Sequence, residues 1–584
     1  MTLRHLLSQL VAAAAEKLAH ESGADLPENF HPRIDYTPDL KFGHYATPAA
    51  MELAKVLKQN PRAIAEKLIQ HIDASRFEKI EIAGAGFINF TLNNATIAAS
   101  LSFTSVAGWL ESVKNETVPD KIIFEYVSAN PTGPMNIVSA RAASVGDSIT
   151  RVLKAAGHEV HREYYVNDYG NQVELLGLSF AYRYLQKFVQ VELPENCYQG
   201  EYIVSYLEKM ISSGVIPADL LLDAGKAAQL NREDWLSRAA KFFSPLGIRS
   251  ILSDQQADLK NFRTEFDAFF SEATLHEKGA VLAVGEKLKQ KGKVRTDEGA
   301  QVFVSTEYGD DKDRVIVRSD GRPTYLLADI AYHADKISRG YKSIIDIWGP
   351  DHHGYIARLS GALQALGFGD KAGESFKVII AQQVNLLENG EPVVMSKRLG
   401  KFQTMRDLIE KIPVDVCRYF FVTRALSTHL DFDLTLALDQ SKKNPVYYVQ
   451  YANARIHSIF REAGFDADKQ TLNSAHLAHE LIHGLNAPAE RKALFFYLLR
   501  FPELVHDIAR NSEIQRLPEY LYQLSTLFTS FYHGKNNRIK DLLSSAPQEA
   551  DALLNLCLLT TQVLEQGLAL LGITAPREMH RDEE

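Results

Sequence analysis

Near the start of the chain, Leu3, Leu6, Leu7, Leu10, Ala14 and Leu18 recur at helical spacing, with Arg4, Ser8, Gln9 and Lys17 between them. That spacing puts an apolar stripe on one face, so the segment reads as an amphipathic helix and not as a targeting peptide. "TPAAMELAKVLKQNPRAIAEKLIQHI" keeps the helical period, with a break at Pro61. In "KIEIAGAGFINFTL" the period drops to two, which predicts two strands around a glycine turn. These elements make a small α+β domain over residues 1–115, and the polar stretch "ESVKNETVPD" reads as a linker after it.

The apolar run "KIIFEYVS" then predicts a strand, "ANPTGP" a loop, "MNIVSARAASVGDSITRVLKAAG" a helix and "HEVHREYYVND" a second strand. That succession is a βαβ unit of a parallel sheet. Residues from about 185 to 275 are helical and more polar, and read as an insertion. Strand-like runs return in "QVFVST", "DRVIVRS", "SIIDIWG" and "KVIIAQQV", so residues 116–435 are expected to form a doubly wound α/β domain. From 436 to 584 only helical patterns occur, as in "NPVYYVQYANARIHSIFREAG", which predicts an all-α bundle.

Composition narrows the class. The 584 residues are 46% hydrophobic and 23% charged, with a formal net charge of -9. This is globular and argues against a generally basic nucleic-acid coat. The three cysteines, Cys197, Cys417 and Cys557, are far apart, so neither a disulfide framework nor a zinc ribbon is supported. A reducing cytosol fits, and no run approaches the length of a membrane-spanning helix.

The loop at "NPTGPMNIVS" carries the first chemistry. Pro134 suits the first turn of a helix, whose free N–H groups and dipole favour an anion. Asn136 and Ser139 are three apart, share a face, and can both donate to phosphate oxygens without carrying charge. The plainer reading is a helix start with polar residues facing solvent. In "EPVVMSKRLGKFQTMRDLI", Ser396, Lys397, Arg398 and Lys401 crowd a short loop around Gly400. Such a loop can fold over a triphosphate, although a solvated basic turn looks the same in sequence. His352 and His353 lack a cysteine or carboxylate set at ligand spacing, so no metal site is predicted.

Several longer blocks resemble the arginyl-tRNA synthetases, a class I aminoacyl-tRNA synthetase family, nearly end to end. They are "EYVSANPTGP", "REYYVNDYGNQVELLG", "RSDGRPTYLLADIAYH", "WGPDHHGYIARL", "MSKRLGKF" and "NPVYYVQYANAR", with "YATPAAMELAKVL" and "IEIAGAGFINF" resembling the family's N-terminal extra domain. The resemblance implies a Rossmann-type catalytic domain, an N-terminal domain that contacts tRNA, and a C-terminal anticodon-binding bundle. It implies activation of L-arginine with ATP and transfer to the terminal adenosine of tRNA(Arg), releasing AMP and diphosphate, with bound tRNA needed for activation. Magnesium would accompany ATP. The protein would be a cytoplasmic monomer with no DNA or membrane partner.

Carried over by position, Glu125 and Asn130 fall where the family's loop contacts the amino acid. Tyr325 and Asp329 are four apart on one helix face, and a carboxylate pairs well with a guanidinium, so Asp329 is expected to read the arginine side chain beside Tyr325. Asp351 is a further candidate contact. Pro134, Asn136, Ser139, His352, Met395, Ser396 and Lys397 are expected at ATP, with Lys397, Ser396, Asn136 and Ser139 catalytic. In the bundle, Tyr447, Tyr448, Tyr451, Phe528, Phe531 and Tyr532 could stack on unpaired bases, with Arg455 and Arg538 on the RNA backbone, or could be bundle core. Tyr451, Arg455 and Arg538 are the chosen tRNA contacts.

The chain departs from the family pattern in two places. The first signature usually begins and ends with histidine, with glycine before the second; here the positions read Asn136, Ile137, Val138 and Ser139. The second usually begins with lysine; here it begins with Val394 and keeps Lys397. An active synthetase with neutral donors is the main expectation. The alternative is a synthetase-like tRNA-binding protein impaired in activation.

Overall fold

The computed structural model describes residues 2–27, 30–101, 103, 105–369, 374–393, 404–472 and 488–579. The chain forms two compact units: Met1–Pro119 with Arg151–His158 and Asp439–Glu584, and Asp120–Thr150 with Glu159–Leu438.

The second unit is built on five strands: β1 (Lys121–Glu125), β2 (Glu159–Val166), β3 (Ala268–Ser271), β4 (Ser343–Trp348) and β5 (Ser375–Ile380). All pairings are parallel, and the order across the sheet is β3-β2-β1-β4-β5. Parallel strands are covered on both faces, which is why β1 and β4 read as nearly continuous apolar runs. Ile122, Ile123, Phe124, Ile344 and Ile347 are all buried. Helix α1 (Ile137–Ala155) crosses from β1 to β2. Its Gly146 lets Tyr126 pack against it, since a Cβ there would come within 2.4 Å of the ring. Strand order reverses between β1 and β4, and in such sheets ligands bind in the crevice beyond the carboxyl ends at that reversal.

Three longer helices lie between β2 and β3: α2 (Asn171–Leu185), α3 (Glu201–Ser212) and α4 (Arg232–Asn261). They have their own core, centred on Phe180, Tyr184, Leu207, Trp235 and Phe243. The helical stretch therefore starts and ends earlier than the expected 185–275, and Ala268–Ser271 belongs to the main sheet. A four-residue strand is too short to show a period. "QVFVST" and "DRVIVRS" also differ from expectation. Ala300–Phe303 and Arg314–Val317 join Val294–Asp297 in a separate antiparallel sheet, and helix α5 (Tyr325–Ser338) follows.

In the first unit, Asp35–Tyr36, Tyr45–Thr47, Phe87–Leu92 and Phe77–Ala83 form an antiparallel sheet in that order. Pro61 opens the helix Pro61–His71, and Asn60 caps it. The expected linker is half helix. "ESVKNE" completes the helix Val106–Glu116, which buries Trp109, Leu110 and Val113 on its inner face. The bundle comprises Pro445–Ala463, Ala489–Leu498, Phe501–Asn511, Arg516–His533, Ile539–Ser545 and Pro547–Leu570.

The last of these helices corrects the reading that no run approaches membrane-spanning length. It has 24 residues and an 18-residue window of mean hydropathy 1.3, but 78% of that window is buried in the protein, as in a core helix. Phe528 and Phe531 are also core, at 2% and 1% exposure, so they are not stacking platforms. Tyr447, Tyr448, Tyr451 and Tyr532 are half-buried. The three cysteines are buried and free.

Candidate active site

Strand β1 delivers Glu125 to the crevice, and the chain then turns sharply. Val127 (φ 69°) and Ser128 (φ 38°) are in the left-handed region. Such conformations cost non-glycine residues about 1–3 kcal/mol each, most for a branched side chain, and persist where surrounding bonds impose them. Here Ser128 Oγ donates to Glu125 Oε1 (3.0 Å) and accepts from the backbone N–H of Tyr165 (3.0 Å). Beyond the turn Asn130 and Pro134 are exposed, and the Met135 carbonyl accepts from Met405 N–H (2.9 Å).

The helix begins at Ile137, so Pro134 precedes it by three residues and does not sit in its first turn. Asn136 ends the extended loop and serves as the cap. Its Oδ1 accepts from Ser139 N–H (2.9 Å) and from Ser139 Oγ (3.1 Å). This revises the expectation of two equivalent phosphate donors. The Ser139 hydroxyl spends its proton on Asn136, whereas the Asn136 amide nitrogen keeps its two N–H donors.

Below the crevice, three acids lie in the sheet. Glu125, Glu163 and Asp346 are nearly inaccessible, at 6%, 0% and 0% exposure. Buried carboxylates require cations. Lys336, itself buried on α5, donates to Glu125 Oε2 (2.7 Å) and to Asp346 Oδ1 (2.9 Å). His333 Nε2 contacts Asp346 Oδ2 at 2.7 Å, and its Nδ1 donates to the Asp329 carbonyl (2.8 Å). Arg339 makes a two-pronged pair with Glu163 at 2.7 and 2.8 Å, and Tyr332 donates to the same carboxylate. Burial alone would raise Glu163 and Asp346. The hydrogen bonds and charges of His161, Arg339 and Lys336 instead bring Glu163 down to about 2, and Lys336 with His333 holds Asp346 below its ordinary range.

Two further acids behave in the opposite way. Asp329, on α5, is partly exposed and accepts from the Tyr355 hydroxyl (2.5 Å). Burial raises its carboxyl to about 6; Tyr355 opposes the shift, and Glu272 and Glu125 add to it. Glu272 follows β3 and is raised to about 7, again chiefly by burial, with Tyr165 opposing and Asp168 adding. Tyr165 lies among these acids, and burial together with Glu272 and Asp329 raises its phenol far above the usual range. His276 is near Glu272 (3.4 Å), but burial lowers its pKa. Among the described residues, no lysine or arginine pairs with Asp329 or Glu272. The cluster therefore has two carboxyls and two phenols, and suits a cation with several N–H donors.

Tyr325 is the first residue of α5, one turn before Asp329, and is 59% exposed. Asp351 and His352 are exposed in the 3-10 turn after β4, at the same end of the sheet, with Trp348 and His352 rings 6.2 Å apart. Met395, Ser396 and Lys397 lie outside the described residues. Among the described residues no cluster of three histidine, cysteine or acidic side chains could hold a metal. In the bundle, Lys442 sits over the Tyr451 ring (5.5 Å), Arg455 lies over the Tyr532 ring (4.7 Å), and Arg538 is exposed.

Sequence reasoning missed Glu272, Tyr165, Tyr355 and Lys336. Tyr165 and Tyr355 lie inside blocks already singled out, "REYYVNDYGNQVELLG" and "WGPDHHGYIARL", and Lys336 is one turn past "ADIAYH". Glu272 had no such flag, because the strand before it is too short to be recognised.

Comparison with known proteins adds three family matches. Residues 5–92 match the arginyl tRNA synthetase N terminal domain, residues 108–204 the catalytic domain of class I (R) tRNA synthetases, and residues 449–579 the DALR anticodon binding domain. An arginine–tRNA ligase of Leptospira interrogans is 44% identical over 99% of both chains. That of Bacillus subtilis is 38% identical, also over 99% of both. Among solved structures, Thermus thermophilus arginyl-tRNA synthetase aligns with a TM-score of 0.75 at 21% identity, covering 99% of this chain and 100% of that one, which shows the fold.

Proposed function

Because the chain belongs to the arginyl-tRNA synthetase family, we propose how its residues divide the work of charging. The enzyme is an ATP-dependent arginine–tRNA ligase. It activates L-arginine to arginyl-adenylate and transfers it to the terminal adenosine of tRNA(Arg), giving arginyl-tRNA, AMP and diphosphate. No finding favours an impaired, purely tRNA-binding protein.

The uncompensated pair Asp329 and Glu272 is the observation that carries the assignment. The guanidinium of arginine brings one delocalised charge and five N–H donors, which suits two carboxylates flanked by the phenols of Tyr165 and Tyr355. Tyr325 and Asp351 border the same end of the sheet. Glu125 and Asn130 meet the amino-acid end of the substrate, placing its carboxylate near the start of α1.

ATP lies along the loop at Pro134, with its phosphates at the N-terminus of α1, where the Asn136 amide and the helix dipole face them. Ser139 acts through Asn136 by holding its amide, a narrower role than direct donation. His352, Met395 and Ser396 complete the nucleotide site, and Lys397 stabilises charge developing on the phosphates. Magnesium rides on the triphosphate as its counter-cation. The arginine carboxylate attacks the α-phosphate, diphosphate leaves, and the terminal adenosine hydroxyl then displaces AMP. No covalent enzyme intermediate is needed, so rate comes from orientation and charge stabilisation.

Residues 1–115 and the bundle from 436 bind the tRNA, the bundle through Tyr451, Arg455 and Arg538, with 116–435 catalytic. The enzyme works as a monomer in the cytoplasm.

The test is charging of a tRNA(Arg) transcript with labelled arginine, ATP and magnesium, with Lys397→Ala alongside. Wild type charges, and the variant loses rate without losing tRNA affinity. A wild-type protein that binds the tRNA but never charges it overturns the reading.

A further inference from the structure

The insertion between β2 and β3 contributes no group to the arginine pocket, yet it reaches the loop between β1 and α1. Besides Met135 O, which Met405 N–H holds, four carbonyls of that loop are held from outside it. Tyr164 Oη, on β2, donates to Ala129 O (2.8 Å). Gln255, on α4, donates through Nε2 to both Asn130 O (3.0 Å) and Gly133 O (2.8 Å). Tyr202 Oη, on α3, donates to Thr132 O (2.8 Å). Three of the four carbonyls are thus bound by the insertion.

Gln255 is 1% exposed, and both its N–H donors are committed. Its Oε1 lies 3.0 Å from the Tyr164 hydroxyl, and both Nε2 hydrogens go to loop carbonyls. The reversed amide would set an oxygen against two carbonyl oxygens, so chemistry fixes the orientation. The ring of Tyr202 fits because residue 133 is glycine: a Cβ there would lie 3.3 Å from its hydroxyl.

These bonds also settle where the loop's donors point. No described peptide bond is cis, so a carbonyl drawn to one side turns the N–H of the same peptide to the other. Two of the four peptides end at Pro131 and Pro134, which have no N–H. The other two carry the N–H groups of Asn130 and Gly133. The Gly133 N–H therefore faces away from Tyr202, and the Asn130 N–H away from Tyr164, whose hydroxyl adjoins Gln255.

We propose that α3 and α4 brace the substrate loop, with Gln255 and Tyr202 as positioning residues: Tyr202 orients the peptide that carries the Gly133 N–H, and Gln255 pins the Asn130 and Gly133 carbonyls on either side of it, so that the loop meets arginine and ATP in one fixed path. This rests on the reading above that the loop meets both substrates. It gives the insertion a part in activation without contact with the reacting atoms.

The experiment uses the full-length enzyme with tRNA(Arg), measuring ATP–diphosphate exchange, charging and tRNA affinity. Gln255→Leu keeps bulk but removes both donors; kcat/KM for ATP falls roughly ten- to hundredfold, as misplacement of reacting groups by about an ångström does, while tRNA affinity is unchanged. Tyr202→Phe loses severalfold. Gln255→Glu supplies the readout that a merely structural role would not move. Its carboxylate cannot donate, but the protonated acid can, so its activity relative to wild type rises as pH is lowered.

Wild-type kcat and KM in Gln255→Leu, or a loss of thermal stability alone, overturns the brace. If that variant does not fold, unchanged ATP kinetics in Tyr202→Phe with no acid recovery in Gln255→Glu does the same. Asp329→Ala separates the two levels. If it leaves the arginine KM unchanged, the site itself is misplaced; if it raises that KM while Gln255→Leu is silent, only the brace fails.

Discussion

Two groups of acids share the carboxyl end of one sheet and differ in a single respect. Glu125, Glu163 and Asp346 are deeply buried, yet Lys336, Arg339 and His333 accompany them within hydrogen-bonding distance. Glu163 and Asp346 are held low by these neighbours. Glu272 is as buried as they are and Asp329 is only partly exposed, but among the described residues no lysine or arginine pairs with either, and burial raises them to about 7 and about 6. The first group has its cations within the fold, and of it only Glu125 is also proposed to meet the substrate. The second has no lysine or arginine of its own among the described residues, and the guanidinium of the proposed substrate would supply a cation. On this proposal burial alone does not mark the acids that take the guanidinium; burial without an internal cation does.

Breaking the complete set has the largest expected effect. Lys336→Met leaves Glu125 and Asp346 without their shared cation, and should destabilise the protein by about 3–5 kcal/mol in denaturant unfolding. A loss under about 1 kcal/mol would mean that solvent reaches the set and that the two groups are not distinct.

Next is the incomplete set. Asp329→Asn should raise the arginine KM roughly a hundredfold, because it truncates one partner of a desolvated charge pair, and leave the ATP KM near wild type. Glu272→Gln should act in the same direction but less, roughly tenfold. Equal, small changes in both KM values would place the guanidinium elsewhere.

The pH dependence sharpens the contrast. A raised carboxyl favours its neutral form, and only the ionised form pairs with a cation. The arginine KM should therefore rise as pH falls through about 7, where Glu272 titrates, and again through about 6, where Asp329 does. A flat profile between pH 8 and 5.5 would count against the pair. The smallest effect is expected from Tyr355→Phe. It removes the hydroxyl that holds Asp329 down, so the lower limb of the profile should move to higher pH with a few-fold change in KM.

Much of this was legible in the sequence, for physical reasons. Long periodic segments such as Leu3–Glu21 and Pro445–Ala463 announced themselves as helices, and β1 and β4 did so as buried parallel strands. Asp329 could be found because a carboxylate one turn from an aromatic residue sits on a well-marked helix. Glu272 could not, since the four residues before it show no period. The partners of Glu125 were invisible because Lys336 and Asp346 are distant in sequence and meet only when β4 pairs beside β1. Asn136 was recognised as polar and well placed, but whether it capped the helix or faced a ligand depended on where the helix began, and that moved by three residues.

The most direct test of the central claim is a count of protons. Arginine binding to the wild-type enzyme is followed by titration calorimetry near pH 6.5 in two buffers of different ionisation enthalpy. The account predicts net proton release, as Asp329 and Glu272 ionise to receive the guanidinium, and its loss in the Asp329→Asn/Glu272→Gln double variant. Tight binding by the wild type with no proton released would contradict it.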